Sequence, residues 1–239
     1  MKKLSLLIAV LAVLISTSTF AQPQVTVHVT GGYNLPLPDL KGDYPADTNS
    51  YLQKSGFNAG ADVKYFLGKK RNVGITLSLG YNSFSSGDIT ATGSDTSFFT
   101  TAKNKINTFT AGLGIEYAFS PKSKANPFIG VELTGNFFSG DFTSTKGTVS
   151  TTSTLKSASR FGVATNLGLD VNLNKSIGFV VGLKYNLANL IGKDSTGGSA
   201  TEFGLNDKEI GTVSAKNISW LSIYGGFSFY FNRPTAIKK

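Results

Sequence analysis

From Gln24 onward the chain alternates, with apolar residues on odd numbers and small or polar residues on even numbers. The alternation runs for about ten residues at a time and is then interrupted by polar, Gly- and Ser/Thr-rich stretches. Eight such runs are visible: 24–34, 55–67, 73–84, 105–119, 127–138, 158–173, 177–188 and 216–231. In the second, Phe57, Ala59, Ala61, Val63, Tyr65 and Leu67 alternate with Asn58, Gly60, Asp62 and Lys64. In the sixth, Phe161, Val163, Leu167, Leu169, Val171 and Leu173 alternate with Arg160, Gly162, Asn166, Gly168 and Asp170. A period of two with one apolar face is the mark of a half-buried antiparallel strand. No helical periodicity appears, and no later window is apolar for long enough to span a bilayer as a helix.

A soluble barrel or sandwich turns such an apolar face inward, whereas a transmembrane barrel turns it outward to lipid. The polar face points to the second. It carries His28, Asp62, Lys64, Glu116, Glu132, Arg160, Asp170 and Lys184, among many glycines at even positions. Small residues beside long charged ones suit a crowded lumen, because a solvated face has no use for glycines that weaken a strand. Aromatic residues on the odd face fall into two bands. Tyr33, Phe57, Tyr81, Phe109, Phe137, Phe161 and Tyr185 lie near one end of the strands, and Tyr65, Tyr117, Phe119, Phe229 and Phe231 near the other. Rings sorted to both ends read as interfacial girdles. The connections alternate too: short at 68–72, 120–126 and 174–176, long at 35–54, 85–104, 139–157 and 189–215. The expected fold is all-β, an eight-stranded antiparallel up-and-down transmembrane β-barrel. Its short turns and both ends should be periplasmic, and its long loops extracellular.

The segment before the first run reads differently. Lys2 and Lys3 precede a nearly unbroken apolar run from Leu4 to Ile15, and Thr19-Phe20-Ala21 offers small residues where a signal peptidase reads. Residues 1–21 are expected to be a cleaved signal peptide, leaving 22–239 as one barrel domain. Only 15% of residues are charged, against about 25% in soluble domains. Zero cysteines exclude disulfide scaffolds and thiolate chemistry, and the single histidine excludes any site needing two imidazoles.

The formal net charge is +9, which by itself would suggest nucleic acid. Its location argues otherwise. The short turns and the C-terminal tail hold Lys69, Lys70, Arg71, Lys122, Lys124, Lys175, Arg233, Lys238 and Lys239 and no acid. Two readings of this rim stay open: a contact with anionic headgroups of the inner leaflet, or ordinary solvated turns. Nothing resembles the aromatic–basic patch that single-stranded nucleic acid needs.

These residues resemble the OmpA/OmpX-like family of small outer-membrane barrels over 24–231. The most specific stretch is the last strand, Ile223-Tyr224-Gly225-Gly226-Phe227-Ser228-Phe229-Tyr230-Phe231. The resemblance implies that Phe227, Phe229 and Phe231 belong to the terminal signal read by the barrel-assembly machinery, and that the protein resides in the outer membrane of a Gram-negative bacterium. The departure is that Phe231 is followed by Asn232–Lys239, whereas many members end on the aromatic.

Little chemistry accompanies this architecture. A barrel of eight strands is just wide enough for side chains to fill, so the lumen charges are expected to pair, with Glu116 and Glu132 each reaching Lys64, Lys184 or Arg160. Structural pairing outweighs a general-acid pair, for there is no nucleophile or cleft. His28 has lumen parity, whereas a lipid hydrolase would present its histidine to lipid. No catalytic set, cofactor or metal site is expected. The Ser/Thr tract Ser144–Thr154 reads as an exposed loop. The favoured function is a non-enzymatic, plugged monomeric barrel that contacts outer-membrane lipid and whose loops meet an extracellular ligand or support the envelope. The alternative is a narrow channel or small-molecule conduit, against which Phe66, Phe84, Phe128, Phe138, Tyr224 and Tyr230 stand on the lumen face.

Overall fold

The computed structural model describes residues 23–232 apart from 48, 196–198, 200 and 212. Residues 1–21, expected from the sequence to be a signal peptide, and the tail residues Arg233, Lys238 and Lys239 lie outside the described residues. Eleven strands follow in order: β1 Val25–Pro36, β2 Ser55–Leu67, β3 Val73–Ser85, β4 Ile89–Thr90, β5 Thr101–Ala118, β6 Ala125–Lys146, β7 Val149–Leu155, β8 Ala158–Asn172, β9 Ile177–Ile191, β10 Glu202–Phe203 and β11 Ser219–Phe231. Eight of them (β1, β2, β3, β5, β6, β8, β9 and β11) form a ring in which every strand is antiparallel to both neighbours. The ring closes where β1 meets β11, with Val25 opposite Phe231 and Pro36 opposite Trp220. Closure leaves no open edge, so every backbone group at membrane depth finds a partner within the sheet.

Side-chain parity follows the sequence pattern. Leu77 is 57% exposed, Leu113 59% and Leu133 71%, while Lys64 and Glu116 are almost completely buried. An apolar shell that wraps the whole ring is stable only against hydrocarbon. The two aromatic bands sit at its borders. Phe57 packs against Tyr81 and Phe109 against Phe137 at one border, each pair with ring centroids 6.4 Å apart, and Tyr117 meets Phe119 at 5.1 Å at the other.

Inside, convergence of eight strands leaves some positions no room for a side chain. A Cβ on Gly226 would lie 2.1 Å from the Val29 carbonyl oxygen, and one on Gly162 2.2 Å from that of Leu187. At Gly80 the nearest atom would be 4.0 Å away. We therefore expect Gly226→Ala to cost about 1–3 kcal/mol through overpacking. Gly80→Ala should be neutral or gain up to about 1 kcal/mol by stiffening the strand. Urea midpoints of the two variants in detergent micelles check the contrast; equal midpoints would contradict it.

Two stretches differ from the sequence reading. The segments 85–104 and 139–157 are not simply loops. β5 begins at Thr101, β6 runs on to Lys146, and β7 folds back along it, so Thr143 pairs with Thr152 and Thr145 with Ser150. The Ser/Thr tract read as a loop is thus a β-hairpin. Its polarity suggested a loop, but its threonines are β-branched and favour extended backbone. The strict parity also breaks once in β9. Val163 lies opposite Leu187 but Phe161 lies opposite Ile191. This bulge turns Asn189 fully inward and sends Leu190 and Ile191 out.

Candidate functional site

The lumen is filled in tiers, beginning at the periplasmic end with rings and charges. Phe66, Phe128 and Tyr230 are buried there. Between them Lys64 Nζ lies 2.5 Å from Glu116 Oε2, 3.9 Å from Asp62 Oδ2, and 4.0 Å above the centre of the Phe128 ring. His28 sits between two carboxylates, with Nδ1 3.3 Å from Asp62 and Nε2 3.7 Å from Asp170. Asp170 also accepts hydrogen bonds from the hydroxyls of Ser228 at 2.6 Å and Tyr230 at 2.7 Å. Slightly further out, Lys184 donates to Glu132 at 2.8 Å, and Ser78 donates to the same oxygen at 2.7 Å. The two glutamates do not share a cation; each has its own lysine. Charges held in a closed interior persist only when partnered this closely.

Arg160 stands apart from these groups. It lies at the extracellular end of β8, where its guanidinium donates to Asp207 from Nε at 2.9 Å and from Nη2 at 2.8 Å. Asp207 belongs to the last long loop and is fully buried. Asn189 adds a third side-chain donor at 2.8 Å and the Asp194 amide a fourth at 3.0 Å. Burial alone would raise this carboxyl's pKa, but the bonds from Arg160, Asn189 and Asp194 outweigh it and hold it below the usual carboxylate range. Sequence parity placed Arg160 among the lumen charges; its actual partner comes from a loop that parity does not address.

Between these levels is a polar cavity of about 80 Å³, bordered by Thr30, Asn58, Asn166, Lys184, Ser222 and Tyr224. That holds a few water molecules and falls well short of the ~300 Å³ at which small-molecule sites begin. An asparagine belt roofs it: Asn34 donates to Asn82 at 3.0 Å and accepts from Asn58 and Ser222, while Asn136 accepts from Thr110. Above the belt an apolar cap seals the mouth. Phe84, Ile106, Phe138, Ala188 and Trp220 from the strands meet Leu40, Leu155, Leu205 and Ile218 from the loops and the hairpin. Trp220 lies edge-on to Phe84 at 5.2 Å.

The sequence offered part of this cap, since Phe84 and Phe138 have lumen parity. It did not offer Asp207, Asn189 or the loop residues Leu40 and Leu205. The available hint was that isolated large apolar residues in polar loops need something to cover them. Phe227, Phe229 and Phe231 face outward and are at least one-third exposed, at the periplasmic border. Among the described residues no group of three or more potential ligands is placed to hold a metal ion.

A family model described as the outer membrane protein beta-barrel domain matches residues 7–207. No curated protein matches significantly. Among solved structures, Neisserial surface protein A is 14% identical with a TM-score of 0.50, over 87% of this chain and 97% of that one. OprG from Pseudomonas aeruginosa is 15% identical with a TM-score of 0.49, over 90% of this chain and all of that one. At such identities the likeness concerns the fold alone. With the ring of eight strands, the outward apolar face and the family match together, this chain belongs to the outer membrane protein β-barrel family and is a protein of the Gram-negative outer membrane.

Proposed function

We propose that this protein is a non-enzymatic, non-conducting barrel whose working part is the extracellular sheet and loops, which make contacts at the cell surface or support the envelope. The observation that carries the reading is the double closure of the lumen, by charges and rings below and by an apolar cap above. A conduit needs a continuous path, and the polar cavity between these levels, about 80 Å³, is small for one. The extracellular side, by contrast, is built up. β6 and β7 extend the barrel wall into a hairpin, and β10 adds a parallel strand to its edge. Function carried on loops above a rigid scaffold is the common arrangement.

Planar-bilayer recording tests this. The refolded protein should give no unitary steps in 1 M (about the usual salt) potassium chloride, and vesicles bearing it should not swell in small sugars. Discrete openings in the wild type would overturn the closed reading in favour of the conduit. Cells whose hairpin 141–154 is replaced by a tight turn should keep normal barrel levels yet lose settling-assay aggregation or detergent resistance.

The terminal aromatics fit the proposal that β11 addresses the chain to the barrel-assembly machinery. Phe231 is 52% exposed at the rim, so Phe231→Ala forfeits only part of a ring's burial, about 1–2 kcal/mol. We expect lower outer-membrane levels in cells but near-normal refolding in detergent. Normal cellular levels with collapsed refolded stability would assign the ring a structural role instead.

A further inference from the structure

The fourteen carboxylates of the chain are distributed with one gap. Asp62, Glu116, Glu132 and Asp170 are in the lumen, and the other ten lie on the extracellular half. On that half they are matched by nine lysines and Arg160. None lies on a periplasmic turn. Those turns carry Lys69, Lys70 and Arg71 between β2 and β3, Lys122 and Lys124 between β5 and β6, and Lys175 between β8 and β9. In the ring these turns are spaced around the perimeter, with the β11–β1 closure completing the circle. Among the described residues the charges therefore form a collar over three of the four sectors of the rim, not a one-sided patch.

The collar adjoins the lipid-facing girdle. Tyr65 and Leu67 lead into the first turn, Tyr117 and Phe119 into the second, and Leu173 and Ile177 flank the third; all of these face outward and are exposed. Lys69, Lys70, Lys122 and Lys175 are exposed beside them, so their ammonium groups stand at headgroup depth. Arg71 bridges to the Asn232 carbonyl at 3.4 Å, which ties the first turn to the chain end. Five lysines with no acid on the same turns, spread around a membrane protein at headgroup level, match one class of partner: the surrounding annulus of lipid. A macromolecule docking from the periplasm would be met from below, by one sector of the rim.

We infer that the periplasmic collar selects anionic phospholipids, of the phosphatidylglycerol type, for the inner-leaflet annulus of this barrel. The inference stands independently of what the extracellular sheet contacts.

Spin-labelled lipids provide the test. The wild-type barrel is refolded into phosphatidylcholine vesicles, and the motionally restricted fraction is compared for labelled phosphatidylglycerol and labelled phosphatidylcholine. We expect a preference for phosphatidylglycerol of about fivefold at low salt, the effect of roughly one basic residue near each bound headgroup, falling toward unity in high salt. The variant K69Q/K70Q/K122Q/K124Q/K175Q should lose the preference. K103Q/K105Q/K156Q/K208Q, which removes four exposed extracellular lysines, should retain it. Heat-modifiable migration on gels verifies that each variant is a folded barrel; since the changes lie on exposed or half-buried positions, all should pass. No preference in the wild type, its survival in the collar variant, or equal loss in both variants would each overturn the inference.

Discussion

Lys64→Met is expected to destabilise the barrel by about 3–5 kcal/mol, because it strands the Glu116 carboxylate in a closed interior. Glu116 is 3% exposed and its oxygen is held by the Lys64 ammonium. Asp62, at 3.9 Å from the same nitrogen, loses a partner in the same step. The methionine keeps most of the apolar stem of the side chain and removes the ammonium, with its contacts to Glu116 and to the Phe128 ring, so the loss is chiefly one of charge. Pairing it with Glu116→Gln should restore much of the stability, since an apolar group beside a neutral amide no longer buries an unmatched ion. Equilibrium unfolding in urea, followed by gel mobility or circular dichroism, gives all three midpoints. A double variant no more stable than Lys64→Met would show that packing, not the ion pair, holds this tier together.

Asp207→Ala should release the last long loop while leaving the barrel intact. The residue receives two bonds from Arg160, one from Asn189 and one from the Asp194 amide. Its removal leaves a guanidinium that is only 7% exposed without its carboxylate. A cost near 3 kcal/mol applied to local opening corresponds to about a hundredfold faster cleavage of the loop by trypsin at Lys193 or Lys208. Acid should imitate the variant. The folded-state pKa of Asp207 is depressed, so its stabilisation is complete above the ordinary carboxylate value near pH 4 and is lost as pH falls below that. Protection of the loop that is flat from pH 7 to pH 3, measured with an acid-tolerant protease, would refute the clasp.

The parts of this molecule that could be read from the sequence are those set by contrast between two solvents. Lipid on one side and a packed lumen on the other force a period of two, and so the eight strands, their facing and the turn asymmetry were legible. The pairing of charges was legible only as a requirement. Which lysine meets which glutamate depends on the stagger of the ring. Lys64 on β2 reaches Glu116 on β5 across β3, where Thr76 lies opposite Lys64 and Gly74 opposite Glu116. Lys184 on β9 reaches Glu132 on β6 across β8, passing Ala164 and Asn166. Both bridges skip a strand with small or short side chains at the crossing. Arg160 escaped because its partner is a loop residue 47 positions away. The hairpin 139–157 escaped because polarity was weighed above β-branching.

Trp220 is the only tryptophan in the chain, and it is 1% exposed inside the extracellular cap. The protein therefore carries a built-in optical probe of one place. Its ring faces the interior, so brominated acyl chains around the barrel should quench it little, and a small aqueous quencher should reach it only when the loops lift. Insertion and mouth closure thus become separable in time: strands can cross the bilayer while the indole still emits at long wavelength. The shift to the blue then dates the moment at which Leu40, Leu205 and Ile218 settle over it.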